Sequence, residues 1–197
     1  DTQFALRENT SGNYVNISTG VLQASPSWGT YSQWGNETGF GVTALSPNTS
    51  YTFSVMGRNA DNVNTSFSAA SSLYTLANIP GSVETTNIGV TSLNVVLDSN
   101  GNPVSTQIAL YNSTTSKYVD FNTGNDSDTA VWGTYAEWGG GSGYLISGLS
   151  SGTTYEFIAK ARNNDLVETS FSIGSNISTS LEAPTVGTAT RLSETSI

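Results

Sequence analysis

Leu149-Ser150-Ser151-Gly152-Thr153-Thr154-Tyr155-Glu156-Phe157-Ile158-Ala159-Lys160-Ala161-Arg162-Asn163 is the stretch whose reading decides the fold. Its second half alternates. Tyr155, Phe157, Ala159 and Ala161 point one way and Glu156, Ile158, Lys160 and Arg162 the other, the period of a strand with one buried face. Its first half runs from a leucine through a turn of small polar residues to a tyrosine that opens the strand. That is the pattern of a tyrosine corner, in which the phenolic hydroxyl bonds back to upstream backbone where the chain crosses between two sheets. The element recurs 104 residues earlier as Leu45-Ser46-Pro47-Asn48-Thr49-Ser50-Tyr51, followed by Phe53, Val55 and Gly57.

The same offset aligns the whole chain without a gap. Thr2-Gln3-Phe4-Ala5-Leu6 falls on Thr106-Gln107-Ile108-Ala109-Leu110, and Trp28-Gly29-Thr30-Tyr31 on Trp132-Gly133-Thr134-Tyr135. Trp34-Gly35 falls on Trp138-Gly139, Arg58-Asn59 on Arg162-Asn163, Thr65-Ser66-Phe67-Ser68 on Thr169-Ser170-Phe171-Ser172, and Pro80 on Pro184. Residues 1–93 overlay 105–197 at roughly 35–40% identity, an internal repeat whose loops have accepted no insertion. Gly/Asn/Asp/Ser clusters at 98–102, 122–128 and 163–165 punctuate the alternating segments as turns, and no amphipathic helical stretch competes. The implied fold class is all-β: tandem antiparallel sandwiches.

The corner and the strand after it resemble the fibronectin type III family, whose corner reads Leu-x-Pro-x-Thr-x-Tyr; the most specific part of the resemblance is 144–172. It implies strands A and B at about 80–98, C at 104–111, C′ at 117–121, E at 143–149, F at 154–163 and G at 169–180. Residues 80–182 would then be a complete domain. Residues 1–79 would be a domain lacking strands A and B, and 183–197 would be strand A and the start of strand B of a following one. The missing strands would come from further chain of a long array, the simpler source, or from a neighbouring copy. One departure stands out: Leu97 occupies the place of the family's strand-B tryptophan, so another side chain must fill that core volume.

Composition excludes more than it proposes. Six Lys and Arg against 15 Asp and Glu give a net charge of −9, which disfavours nucleic acid and anionic membrane surfaces as partners. The chain has no cysteine and no histidine, so disulfides, thiolate sites, His-ligated metals and Ser-His-Asp catalysis are out of reach. No apolar run is long enough to span a bilayer. Asp1-Thr2-Gln3 reads as the start of an internal piece rather than a leader. Ser, Thr, Asn and Gly make up about half of the residues, a composition suited to strands and turns.

Several constellations are candidates for function, each with a structural alternative. The Trp-Gly-Thr-Tyr-x-x-Trp-Gly motif places Trp28, Tyr31 and Trp34, and again Trp132, Tyr135 and Trp138, where they form either a platform for sugar rings or packing that replaces the strand-B tryptophan. Because both units carry it, packing is the cheaper reading. Asn-x-Ser/Thr sequons stand at Asn9, Asn16, Asn36, Asn48, Asn64, Asn112, Asn125 and Asn176, close to the number chance gives in a chain this rich in Ser and Thr. Asp98, Asn100, Asp120, Asp126 and Asp128 offer oxygen ligands suited to calcium, yet Asx-rich turns need no ion to reverse a hairpin. Lys160 aligns with Met56 and Lys117 with Asn13, so no lysine recurs for an internal isopeptide bond. Asp61 and Asp165 recur in the F–G turn, where an Asp bonding its own backbone is expected, and Arg58 and Arg162 are expected on the exposed face of strand F beside an acid.

No catalytic residue and no cofactor is read from this pattern. It predicts a non-catalytic repeat segment of an extracellular or cell-surface fibre, stalk, surface layer or adhesin shaft, whose partners are adjacent repeats, other copies of itself, and glycans. The second reading is a carbohydrate-binding module of a secreted protein using the tryptophan motif.

Overall fold

The computed structural model of the protein describes residues 1–188, Thr190 and Glu194. Residues 183–188 carry no strand, and the rest of the predicted strand A and strand-B onset of a following unit lies, apart from Thr190 and Glu194, outside the described residues. Antiparallel strands and turns make up the rest, with single 3-10 turns at Asn36–Thr38 and Gly140–Ser142.

The first unit forms one sheet. Strands β1 (Gln3–Glu8), β2 (Tyr14–Val15), β3 (Leu22–Gln23), β4 (Ser50–Arg58) and β5 (Ser71–Tyr74) lie in the order β3-β2-β1-β4-β5. The second unit forms two. Strands β6 (Glu84–Thr86), β7 (Ser92–Val96) and β12 (Tyr144–Ser147) make a three-stranded sheet in the order β12-β7-β6. Opposite it, β8 (Gln107–Asn112), β9 (Lys117–Val119), β10 (Asp126–Ser127), β13 (Thr154–Arg162) and β14 (Ser175–Ser178) run β10-β9-β8-β13-β14, and the short β11 (Gly133–Thr134) adds to β8. In sandwich letters β6 and β7 are A and B, β8 and β9 are C and C′, β12 is E, β13 is F and β14 is G.

Alternation delivers the core of the second unit. Leu93 and Val95 point inward from β7, Ile146 from β12, Ile108 and Leu110 from β8, and Tyr155, Phe157, Ala159 and Ala161 from β13. All are buried together with Val83, Leu97, Val119 and Trp138. Both tyrosine corners form: the Ser150 N–H donates to the Tyr155 hydroxyl at 2.8 Å and the Ser46 N–H to that of Tyr51 at 2.9 Å, next to half-buried Leu149 and Leu45.

Strand G is shorter than the 169–180 that the family resemblance implied. It is regular only over Ser175–Ser178, and the preceding stretch binds strand F in another way. The N–H groups of Ala161 and Ala159 donate to the hydroxyls of Thr169 and Ser172, both at 3.0 Å. Gly57 and Val55 donate in the same way to Thr65 and Ser68. Side-chain oxygens substitute for ladder carbonyls, which accounts for the recurrence of Thr-Ser-Phe-Ser in both units.

Candidate functional site

The tryptophan motif makes the same indole bond in both units and splits its rings between two places. Trp138 is fully buried among the core residues, and its indole N–H donates to the Ile108 carbonyl at 2.9 Å. Phe121 and Tyr144 meet its ring edge-on at 5.3 and 5.4 Å. It is therefore the large side chain that fills volume beside Leu97. Trp34 makes the same bond to Phe4 at 2.9 Å but stays partly exposed. The two motif glycines have separate causes. A Cβ on Gly133 would lie 2.7 Å from the Phe121 ring, and Gly139 holds φ +81° with the Gly143 carbonyl 2.2 Å from where a Cβ would be.

Trp132 and Trp28 lie on the opposite, outer face of the strand β8/β13 and β1/β4 sheets. The guanidinium of Arg162 lies 4.5 Å from the Trp132 ring centre and that of Arg58 4.3 Å from Trp28. These arginines bond Gln107 (2.7 Å) and Gln3 (2.8 and 2.6 Å) rather than an acid, which corrects the expected ion pair. Lys160 sits 5.2–5.4 Å from the rings of Tyr118, Trp132 and Phe171 and pairs with Glu168. With Trp138 inside and Trp132 and Trp28 each under a cation, the four indoles present no open row of ring faces. Tyr31 is exposed, whereas Tyr135 packs against the core.

The other candidates separate in space. Asn48 and Asn112 are buried, with their amides engaged by Thr106 and by the N–H groups of Thr114 and Thr115, so neither has room for a glycan in the folded chain. Both are corrected as attachment sites. Asn36, Asn64, Asn125 and Asn176 are exposed; Asn9 and Asn16 are half-buried, Asn9 accepting from the Ser54 hydroxyl of β4 and Asn16 from the Ser18 N–H of its own turn. Asp98 accepts from the Asn100 N–H and Asp120 from Asn122, each closing its own turn, while Asp126 starts β10 and Asp128 pairs with Lys117. No group of three carboxylates that could hold a metal occurs among the described residues.

What the sequence reading did not anticipate is the junction between the units, built of buried amides. Asn48 takes the left-handed conformation its turn demands (φ 40°) and points its side chain into the second unit. Its Nδ2 donates to the Thr106 hydroxyl at 2.8 Å, and its Oδ1 accepts from the Asn164 N–H at 2.8 Å. Asn163, 2% exposed, accepts from the N–H groups of Asp165 and Val167 and donates to the Thr75 carbonyl at 3.1 Å. The Asx role in the F–G turn thus belongs to Asn163, and Asp165 instead reaches across to the Tyr74 N–H at 2.9 Å. On the linker side, the Asn102 amide accepts from the Asn78 N–H and donates to the Asn78 carbonyl, the Asn78 amide donates to the Asn100 carbonyl, and Ala77 enters the core of the second unit. Every one of these polar groups is satisfied, the condition under which a buried polar network rigidifies rather than weakens a contact. Asn59 recurs opposite Asn163 and was visible in the repeat; Asn48 aligns with Gly152, so no recurrence flagged it.

No family model matches the chain, and no curated protein matches it. Among solved structures it is similar to a two-domain fibronectin type III segment of chicken tenascin, at 14% identity over 90% of this chain and 83% of that one, with a TM-score of 0.49. It is also similar to the fibronectin type III domain of human fibronectin type III domain containing protein 3 (18% identity, 59% and 99% covered, TM-score 0.40) and to the FN1–FN3 domains of chicken CNTN1 (14%, 91% and 56%, TM-score 0.33). Likeness at this level says nothing of activity or partners. The sandwich assignment rests on the A-B-E sheet facing the C′-C-F-G sheet: the second unit is a fibronectin type III-like sandwich, and the first unit is a single sheet whose strand order β3-β2-β1-β4-β5 matches the order β10-β9-β8-β13-β14 of the second unit's larger sheet.

Proposed function

We propose that the protein is a non-catalytic segment of a tandem-repeat spacer in an extracellular or cell-surface fibre, stalk, surface layer or adhesin shaft. The observation that carries this reading is the satisfied amide junction. Asn48, Thr106, Asn163 and Asp165 bind two covalently joined units in one orientation. A chain whose task is to hold distance needs that property, because each unit contributes its own core and the junctions set the shape. Composition favours the same reading: a charge of −9 keeps a repetitive β surface soluble by self-repulsion. Exposed sequons at Asn36, Asn64, Asn125 and Asn176 suit a secreted setting. Adjacent repeats are the partners, and length is the product.

Electron microscopy of the native particle tests it. A filament or layer with an axial spacing that is a whole multiple of one unit is the expected result. A compact particle with no such spacing overturns the proposal.

A further inference from the structure

At the end of β8 remote from the junction, the C–C′ hairpin and the E–F corner of the second unit enclose a cavity of about 340 Å³, at the small end of the range for small-molecule sites. Asn112, 1% exposed, and Tyr155, 5% exposed, both line it. The Asn112 Oδ1 accepts from the N–H groups of Thr114 and Thr115, whereas its Nδ2 donates to nothing among the described residues. That nitrogen is not sealed in: Arg7 Nε is the one side-chain atom both buried and unpartnered among the described residues. Such narrow access suits a hydrogen bond to the amide, not covalent attachment. The Tyr155 hydroxyl accepts from the Ser150 N–H, and its own hydrogen has no acceptor among the described residues. Polar groups this deep are normally satisfied, so two unspent donors in one cavity call for an acceptor from outside the chain. At the rim, the exposed side chains of Asn125 and Asp126 make no hydrogen bond among the described residues either, and Ile146 and Leu149 give the cavity an apolar wall.

The first unit is the internal comparison. Offset by the repeat, Asn112 corresponds to Glu8, Asn125 to Val21, Asp126 to Leu22 and Tyr155 to Tyr51. Glu8 closes the same hairpin with both oxygens accepting from Thr10 and Ser11, and it has no proton to offer. Closing the turn therefore requires neither the amide donor nor the polar rim, and the second unit alone carries both. We propose that this cavity binds one neutral hexopyranose ring, at a place the tryptophan motif does not touch. Every ring hydroxyl both accepts and donates. One can take a hydrogen from Asn112 Nδ2 or the Tyr155 hydroxyl while a neighbour donates to the Asp126 carboxylate, and the C–H face of the ring meets Ile146 and Leu149. A bare cation has no use for two donors, and an anion would be repelled by Asp126.

Nuclear magnetic resonance of the intact, isotope-labelled and unglycosylated protein tests this, with the methyl glycosides of glucose, galactose and mannose as probes. At least one of them is expected to shift the side-chain amide of Asn112 and the backbone signals of Asn125, Asp126 and Ser150 along a saturating curve, leaving the hairpin around Glu8 unmoved. Asp126→Leu copies the first unit at an exposed position and should weaken the apparent affinity by about tenfold. Asn112→Asp keeps both turn bonds, as Glu8 shows a carboxylate can, and removes the donor; a loss of about tenfold is expected again. Three probes that leave the Asn112 amide in place, shifts that do not saturate, or equal shifts at the first unit's hairpin overturn the inference. So does binding that survives undiminished in Asp126→Leu or in a folded Asn112→Asp. None of these outcomes touches the spacer reading, which stands or falls on the particle's axial spacing.

Discussion

The two units carry one sequence pattern and reach different states, which makes each a control for the other. Trp138 and Trp34 make the same indole bond to the same strand at 2.9 Å, yet only Trp138 is sealed. The sheet bearing strands C, C′, F and G therefore organises itself in both, with its hairpins, corner and tryptophan in place. Burial is added by the A-B-E sheet. Backbone pairing can be complete on one sheet while the hydrophobic gain, proportional to apolar area removed from water, is collected only when the second sheet arrives.

The largest effect that would sharpen this contrast comes from truncating the paired tryptophans. Trp138→Ala removes a fully enclosed ring and is expected to destabilise the second unit by about 3–5 kcal/mol, the range for large aromatic deletions in a core. Trp34→Ala leaves less of a void because its ring already faces an open groove, and should cost about half as much or less. Urea unfolding of each variant, followed by exchange protection assigned to each unit, checks the pair. Equal losses would mean that the first unit is sealed in solution. The junction comes next. Asn163→Ala strands the Thr75 carbonyl and two turn N–H groups and is expected to cost about 1–3 kcal/mol. Asn59→Ala is the same change at an exposed position where only the turn bonds exist, and should cost about 1 kcal/mol or less. Spin labels on the two units should also show a broader distance distribution for Asn163→Ala and an unchanged one for Asn59→Ala.

The parts of this contrast that sequence made legible are those set by local chemistry. Alternation around Tyr155 and the Leu-to-Tyr spacing give the strand and the corner because each depends on residues within a few positions of one another. The 104-residue offset gives two sandwiches because it needs only comparison. The junction was not legible. Asn48 and Gly152 both satisfy a turn that needs a left-handed residue (φ 40° and 60°), so the local rule is indifferent between them. Only the three-dimensional approach of Thr106 and Asn164 distinguishes an amide from a hydrogen there. The destination of the two tryptophans was likewise hidden, since spacing within the motif does not say which ring turns inward.

A smaller effect separates the outer faces. Lys160 and Met56 occupy matching positions, and exchanging them tests whether aromatic surroundings alone can hold a cation. Lys160→Met removes the Glu168 pair and the contacts to Tyr118, Trp132 and Phe171, but leaves Glu168 in water; the expected cost is about 1 kcal/mol or less. Met56→Lys is the harsher direction. Met56 is 7% exposed, and Asn64 stands where Glu168 would be, so the new ammonium meets rings without a carboxylate. A loss of about 1–3 kcal/mol by thermal or urea unfolding is expected. If both exchanges cost the same, the ion pair contributes nothing to the second unit.

The smallest difference is one of pH. The hairpin between strands C and C′ is closed by Asn112 in the second unit and by Glu8 in the first, each accepting N–H groups of the turn. Burial by itself would raise the Glu8 carboxyl, but the hydroxyl and N–H of Ser11 and the N–H of Thr10 overcome that and hold it at about 2, against an ordinary 4.5. A carboxyl whose folded value is depressed contributes its stability fully above the unfolded value and loses it as the pH falls toward and through the folded one. The first unit should therefore weaken between about pH 4.5 and pH 2 by a term that the second unit lacks. Glu8→Asn transplants the neutral closure. Its thermal midpoint should lie below that of the native protein near neutrality, and the gap should narrow as the pH is lowered through this window. A gap that stays constant with pH would show that the turn is held by its geometry, with the charge on Glu8 adding nothing to what Asn112 supplies without one.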